Sequence, residues 1–130
     1  MIKALKLTMA LYAASGILLG LAFIVIPRQL GAILGYDSGP TFIAALTAML
    51  GASFISACVF LLIAARDPIK HILWVKYAIL FAILSLFAPL YSVLLGNITI
   101  LQALAPIITH TVFGIAILTF YPWHVVQHKD

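Results

Sequence analysis

At 130 residues the chain has the length of one soluble domain, yet 65% of its residues are hydrophobic and 8% are charged. An ordinary globular domain is about half apolar and about a quarter charged. Seven Lys/Arg and three Asp, with no Glu, cannot hydrate a water-soluble surface, so the composition points to an integral membrane protein whose outside faces lipid.

Lys3 and Lys6 lead into the first apolar stretch, residues 5–26. A helix needs about 20 mostly apolar residues to cross the hydrocarbon core. The run also outlasts the roughly 7–15-residue core of a secretion signal, so the segment is expected to stay in place as a span. Gly16 and Gly20 within it are four apart, a small-xxx-small step that lets a second backbone come close. The link that follows, residues 27–40, opens at Pro27 and closes at Gly39-Pro40. Leu30, Ile33 and Leu34 share one helical face there, which suits a short helix lying at the outer interface; a hydrophobic loop is the alternative.

The second span, residues 41–65, carries Ala44, Ala48, Ala52 and Ser56, each four apart. This row is expected to be a helix-packing seam, serving either the fold or another chain. Cys58 is the single cysteine, which excludes an intrachain disulfide and suits a small buried hydrophobe. Asp67-Pro68 breaks the chain before the third span, residues 72–95. Gly96-Asn97 precedes the fourth, residues 100–121, which ends at Tyr121-Pro122. Asn97-Ile98-Thr99 matches a glycosylation acceptor by pattern, but it lies hard against a span and is read as chance. No stretch alternates apolar and polar residues as a barrel strand would. The expected fold is a single membrane domain over residues 1–130: an all-α, four-transmembrane-helix bundle.

Charge sets the expected direction. Lys3, Lys6, Arg66, Lys70, Lys76 and Lys129 fall on one side of such a bundle, and only Arg28 on the other. Basic residues are retained on the cytoplasmic side during insertion, so both termini are expected there. Trp74, Tyr77, Tyr121 and Trp123 sit at the same border, where amphipathic rings collect. The basic rim suits anionic headgroups, and the setting is expected to be a bacterial inner membrane.

At about 1.5 Å per residue, Ser15, Ser53, Ser85 and His110 all lie roughly 13–18 Å from the outer ends of their spans. That is near the middle of a core about 30 Å thick. Each helix thus contributes one polar group to a common layer, with Thr109 and Thr111 beside the histidine. On one reading the serines bond back to their own helices and His110 finds a hydroxyl across the interface. On the other, His110 is a ligand-binding group. It is the sole ionisable side chain in mid-span, its ordinary pKa lies near neutrality, and Pro106 and Gly114 leave open space one turn either side. It could hydrogen-bond a quinone or ligate a chlorophyll-type pigment. A bis-histidine haem is excluded, because His71, His124 and His128 belong to the basic edge.

No span contains a carboxylate, which argues against a proton-coupled carrier of the small multidrug type. No catalytic triad, phosphate-cradling loop or metal-spaced cluster is present in the sequence, and nothing suggests nucleic acid as a partner. By hydropathy alone, the whole chain resembles the small four-helix membrane proteins of bacteria typified by the DoxX-like proteins. The resemblance implies a four-helix membrane fold and carries no residue role. The leading expectation is a non-enzymatic accessory or assembly subunit that packs against other membrane chains or itself. The rivals are a binder of a quinone, pigment or lipid-like ligand around His110, and a small oligomeric channel or carrier.

Overall fold

The computed structural model describes residues 1–35 and 41–123. Asp37, the Gly39-Pro40 break, His124, His128 and Lys129 lie outside the described residues. Among those described, the chain is wholly helical. Its elements are α1 (Ile2–Val25), α2 (Pro27–Ile33), α3 (Thr41–Arg66), α4 (Ile72–Leu94) and α5 (Ile100–Phe120). Four of these, all but α2, are long and apolar enough to cross a membrane. A helix satisfies its own backbone polar groups, the condition hydrocarbon imposes on any spanning segment. Large side chains such as Leu18, Met49, Leu80, Leu94 and Leu101 stand exposed around the outside, as a lipid-facing surface requires.

Local chemistry sets the ends of the elements. Proline at the first helical position fits α2, because the missing N–H has no partner there in any case. Gly35 ends that helix at a φ of 78°, a left-handed conformation that glycine adopts without strain. At the start of α5, Gln102 N–H donates to the Thr99 hydroxyl at 3.4 Å. The Thr99 N–H donates to the Gln102 side-chain carbonyl at 2.8 Å, which completes a capping box. Pro89 and Pro106 sit inside α4 and α5, and each removes one intrahelical hydrogen bond.

The helices pair as α1 with α3 and α4 with α5, and the two pairs meet more sparsely. The tightest joint is between glycines of α1 and α3. A Cβ on Gly20 would lie 2.7 Å from the Gly51 carbonyl oxygen, and one on Gly51 would lie 2.5 Å from that of Gly20. One turn along, Gly16 makes room for the Cys58 thiol. The closest approach of α3 therefore runs through Gly51, Ile55 and Cys58. The four-spaced row lies beside it: Ala44 and Ala48 are half-buried, and Ala52 and Ser56 are exposed.

Burial is uneven along the bundle. Leu5, Met9 and Tyr12 of α1 join Leu61 and Ala64 of α3, Val75 and Ala78 of α4, and Ile117 of α5 in one core. Tyr121 closes it. These positions all belong to the end that carries Lys3, Lys6, Arg66, Lys70 and Lys76. Phe60 and Trp74 stack there with ring centroids 5.0 Å apart, fastening α3 to α4. Toward the α2 end the bundle opens, and the core gives way to a cavity that begins at Tyr12.

Candidate functional site

Tyr12 is held by its neighbours on two sides. Its ring stacks on Phe113 of α5 at 4.8 Å, and its hydroxyl and His110 Nδ1 share a hydrogen bond of 2.8 Å. The ring is 4% exposed, so this contact forms inside the bundle. His110 is half-buried, and the Tyr12 and Phe81 rings each meet it edge-on at 5.9 Å. The histidine ring makes no second hydrogen bond with the described residues, and its other nitrogen is not sealed in.

Above this pair lies a cavity of about 530 Å³. Ligand sites for small molecules generally range over about 300–1,000 Å³. Tyr12, Ser15, Cys58, Phe81 and His110 line its inner end. Its walls are mainly apolar, with Leu19 and Phe23 from α1 and Leu50 and Phe54 from α3. Pro106 lines it one turn above His110, where a proline leaves no N–H directed along the helix. Arg28 and Gly31 of α2, with Gln102 of α5, border the far end. The Gln102 side-chain amide donates to the Gly35 carbonyl, tying the end of α2 to the start of α5 across that mouth. Leu19, Ile43, Leu50 and Thr109 line the cavity and are themselves exposed, so the space communicates with the surroundings of the bundle.

Of the four polar residues placed at one depth by sequence, Ser15 and His110 face the cavity and Ser53 and Ser85 do not. The Ser15 hydroxyl donates to the Tyr12 carbonyl at 2.8 Å, within its own helix. Ser53 is exposed and donates to the Met49 carbonyl at 3.1 Å, also within its helix. Ser85 is half-buried in α4. Thr109 lines the cavity, whereas Thr111 does not. Gly114 packs against Ala82 of α4, so the space it leaves below His110 is taken up by a neighbouring helix. Gly16, Gly20 and Gly51 belong to the α1–α3 joint; Gly16 and Ala44 also touch the cavity wall.

Sequence reasoning passed over Tyr12 as a partner. A signal was there: tyrosine favours membrane–water borders, and this one lies about three turns inside its span. Among the described residues no three His, Cys, Asp or Glu side chains come together as a metal site. Chemically, the arrangement can grip an apolar body and address one polar group at its inner end. Comparisons with protein-family models, curated proteins and solved structures gave no match.

Proposed function

We propose that the protein binds a membrane-soluble small molecule, a quinone or other lipid-like amphiphile, in the cavity between α1, α3 and α5. One observation carries this reading: a mostly apolar cavity of about 530 Å³ ends on the hydrogen-bonded Tyr12–His110 pair. Apolar walls favour a hydrocarbon body, and a few convergent polar groups fix its orientation. Exposed lining residues give the molecule a lateral route from the bilayer.

The same reading places the basic end of the bundle on the cytoplasmic face of a bacterial inner membrane, with both termini there. Its support is the distribution of Lys3, Lys6, Arg66, Lys70 and Lys76 against Arg28. Labelling of Lys3 and Lys70 from the same side of a sealed vesicle is the expected result.

Purification in mild detergent, followed by mass spectrometry and an absorption spectrum of the released small molecules, tests the binding. A stoichiometric amphiphile should accompany the parent protein and be lost from Ala105→Trp, which puts a large ring into the cavity that Ala105 lines. A pigment ligated by His110 would show itself in the visible spectrum and vanish in His110→Ala. An equally loaded Ala105→Trp variant would remove the cavity from consideration.

An accessory-subunit role draws on a different observation. Ala52 and Ser56 are exposed on α3 and leave its outer face smooth enough for another helix to approach. Purification from native membranes with stoichiometric partner chains would support that role, and a lone monodisperse chain would count against it.

A further inference from the structure

Resting on the ligand-binding reading above, we infer that the occupant carries a flat quinone-type ring at the Tyr12–His110 end of the cavity, and that the site accepts both its oxidised and its reduced form.

The inner end of the cavity holds no carboxylate, lysine or arginine among the described lining residues. Arg28 is the one charged side chain among the described lining residues, and it lies on α2 at the opposite end. A phosphate or carboxylate head would therefore find no cation beside His110, whereas a neutral polar head would find hydrogen-bonding partners.

The Tyr12–His110 pair has a property that follows from counting protons. If the phenol donates to Nδ1, the imidazole keeps an N–H at Nε2 and the phenol oxygen keeps a free lone pair. If Nδ1–H donates instead, the phenol keeps its O–H and Nε2 keeps its lone pair. In either tautomer the neutral pair retains one donor and one acceptor. A quinone carbonyl needs the donor, and a hydroquinone hydroxyl can use the acceptor. Switching between them moves the phenol proton to Nδ1, releases the Nε2 proton to the ligand or solvent and returns one from there to the phenol oxygen, with no side-chain rearrangement.

Aromatic groups supply the match to a flat ring. Phe54 and Phe81 both line the cavity and meet at 90°, with centroids 5.7 Å apart. Phe23 stacks on Phe54 at 5.9 Å, and the Phe81 and His110 rings meet in a T-shaped contact at 5.9 Å. These rings form a continuous wall from α1 to the polar pair. Aromatic faces favour offset or edge contacts with another π-system, a gain that a saturated chain does not receive.

The test uses the full chain in lipid nanodiscs with a short-chain benzoquinone, its dithionite-reduced hydroquinone and a saturated alcohol of equal length. The quinone and hydroquinone should bind with affinities within about tenfold of each other, and both more tightly than the alcohol. His110→Leu should weaken both by about tenfold, the order of one lost buried hydrogen bond. Infrared spectra of the bound quinone provide a measurement that needs no variant: one carbonyl stretch should move to lower frequency on binding. An unshifted carbonyl, an unchanged His110→Leu affinity or equal binding of the alcohol would overturn the quinone assignment. If a saturated lipid nevertheless occupies the cavity and is displaced in Ala105→Trp, the broader binding reading survives that failure. If no probe occupies it and no amphiphile accompanies the purified protein, both are overturned.

Discussion

Among the described residues the hydroxyl of Tyr12 has one partner, His110 Nδ1 at 2.8 Å, and the Tyr12 ring is buried against Phe113. Tyr12→Phe keeps the stack and deletes the hydrogen bond, so it should destabilise the protein by about 1 kcal/mol. Chemical unfolding in detergent micelles reads that loss, and a parent-like stability would mean that the pair contributes nothing to the fold. Ser53→Ala gives the contrast. Its hydroxyl is exposed and, among the described residues, bonds within its own helix, so its removal should change stability by less than about 0.5 kcal/mol. These two residues also show what was legible at this scale. His110 stood out as the sole mid-span ionisable group. The serine layer was derived from depth, and depth follows from counting residues along a helix axis. Which face a residue occupies depends also on how each helix is rotated against its neighbours, and packing sets that rotation. Ser53 and Ser15 therefore share a depth and face different surroundings, while Tyr12, one turn away from Ser15, reaches His110.

Among the elements, the α1–α3 joint shows the same limit. The four-residue spacing of Gly16 and Gly20 announced a close approach from α1, and both glycines meet α3. On α3 the eye is drawn to the regular row of Ala44, Ala48, Ala52 and Ser56, but the backbone contact is made at Gly51, next to Ala52. Only glycine permits it, because any Cβ at 51 would press on the Gly20 carbonyl and the Phe23 Cβ. Small residues occupy several faces of α3, and the row's regularity does not rank those faces. Gly51→Ala should therefore cost about 1–3 kcal/mol through overpacking. Ala52→Leu, one residue away on the exposed face, should stay within about 0.5 kcal/mol. A reversed order of these two variants in unfolding experiments would assign the seam to the alanine row. The helical class itself was legible because four long apolar runs without alternation leave no other way to satisfy a backbone in hydrocarbon.

For the molecule as a whole, the asymmetry between a sealed basic end and an open α2 end decides how anything reaches its interior. Cys58 is the useful reporter, since it is the only cysteine, is 5% exposed and lines the inner part of the cavity. From the basic end, Leu5, Leu61, Ala64, Val75, Ile117 and Tyr121 stand in the way, all of them buried. From the other side the cavity leads to the thiol past exposed lining residues. A neutral, lipid-soluble maleimide should accordingly label Cys58 slowly, while a charged sulfonate analogue should fail from the basic face of a vesicle. Filling the cavity by Ala105→Trp, or with an added amphiphile if one binds there as proposed, should slow the neutral reagent further. Leu5→Ala leaves a cavity in the sealed end by removing a fully buried side chain, at a stability cost of roughly 2–5 kcal/mol. The charged reagent should still fail from the basic face in that variant, because Leu61, Val75, Ile117 and Tyr121 remain in place. Rapid labelling of the parent protein by the charged reagent from the basic face would mean that the tight core does not close that end, and that the cavity is a passage through the bundle instead of a site within it.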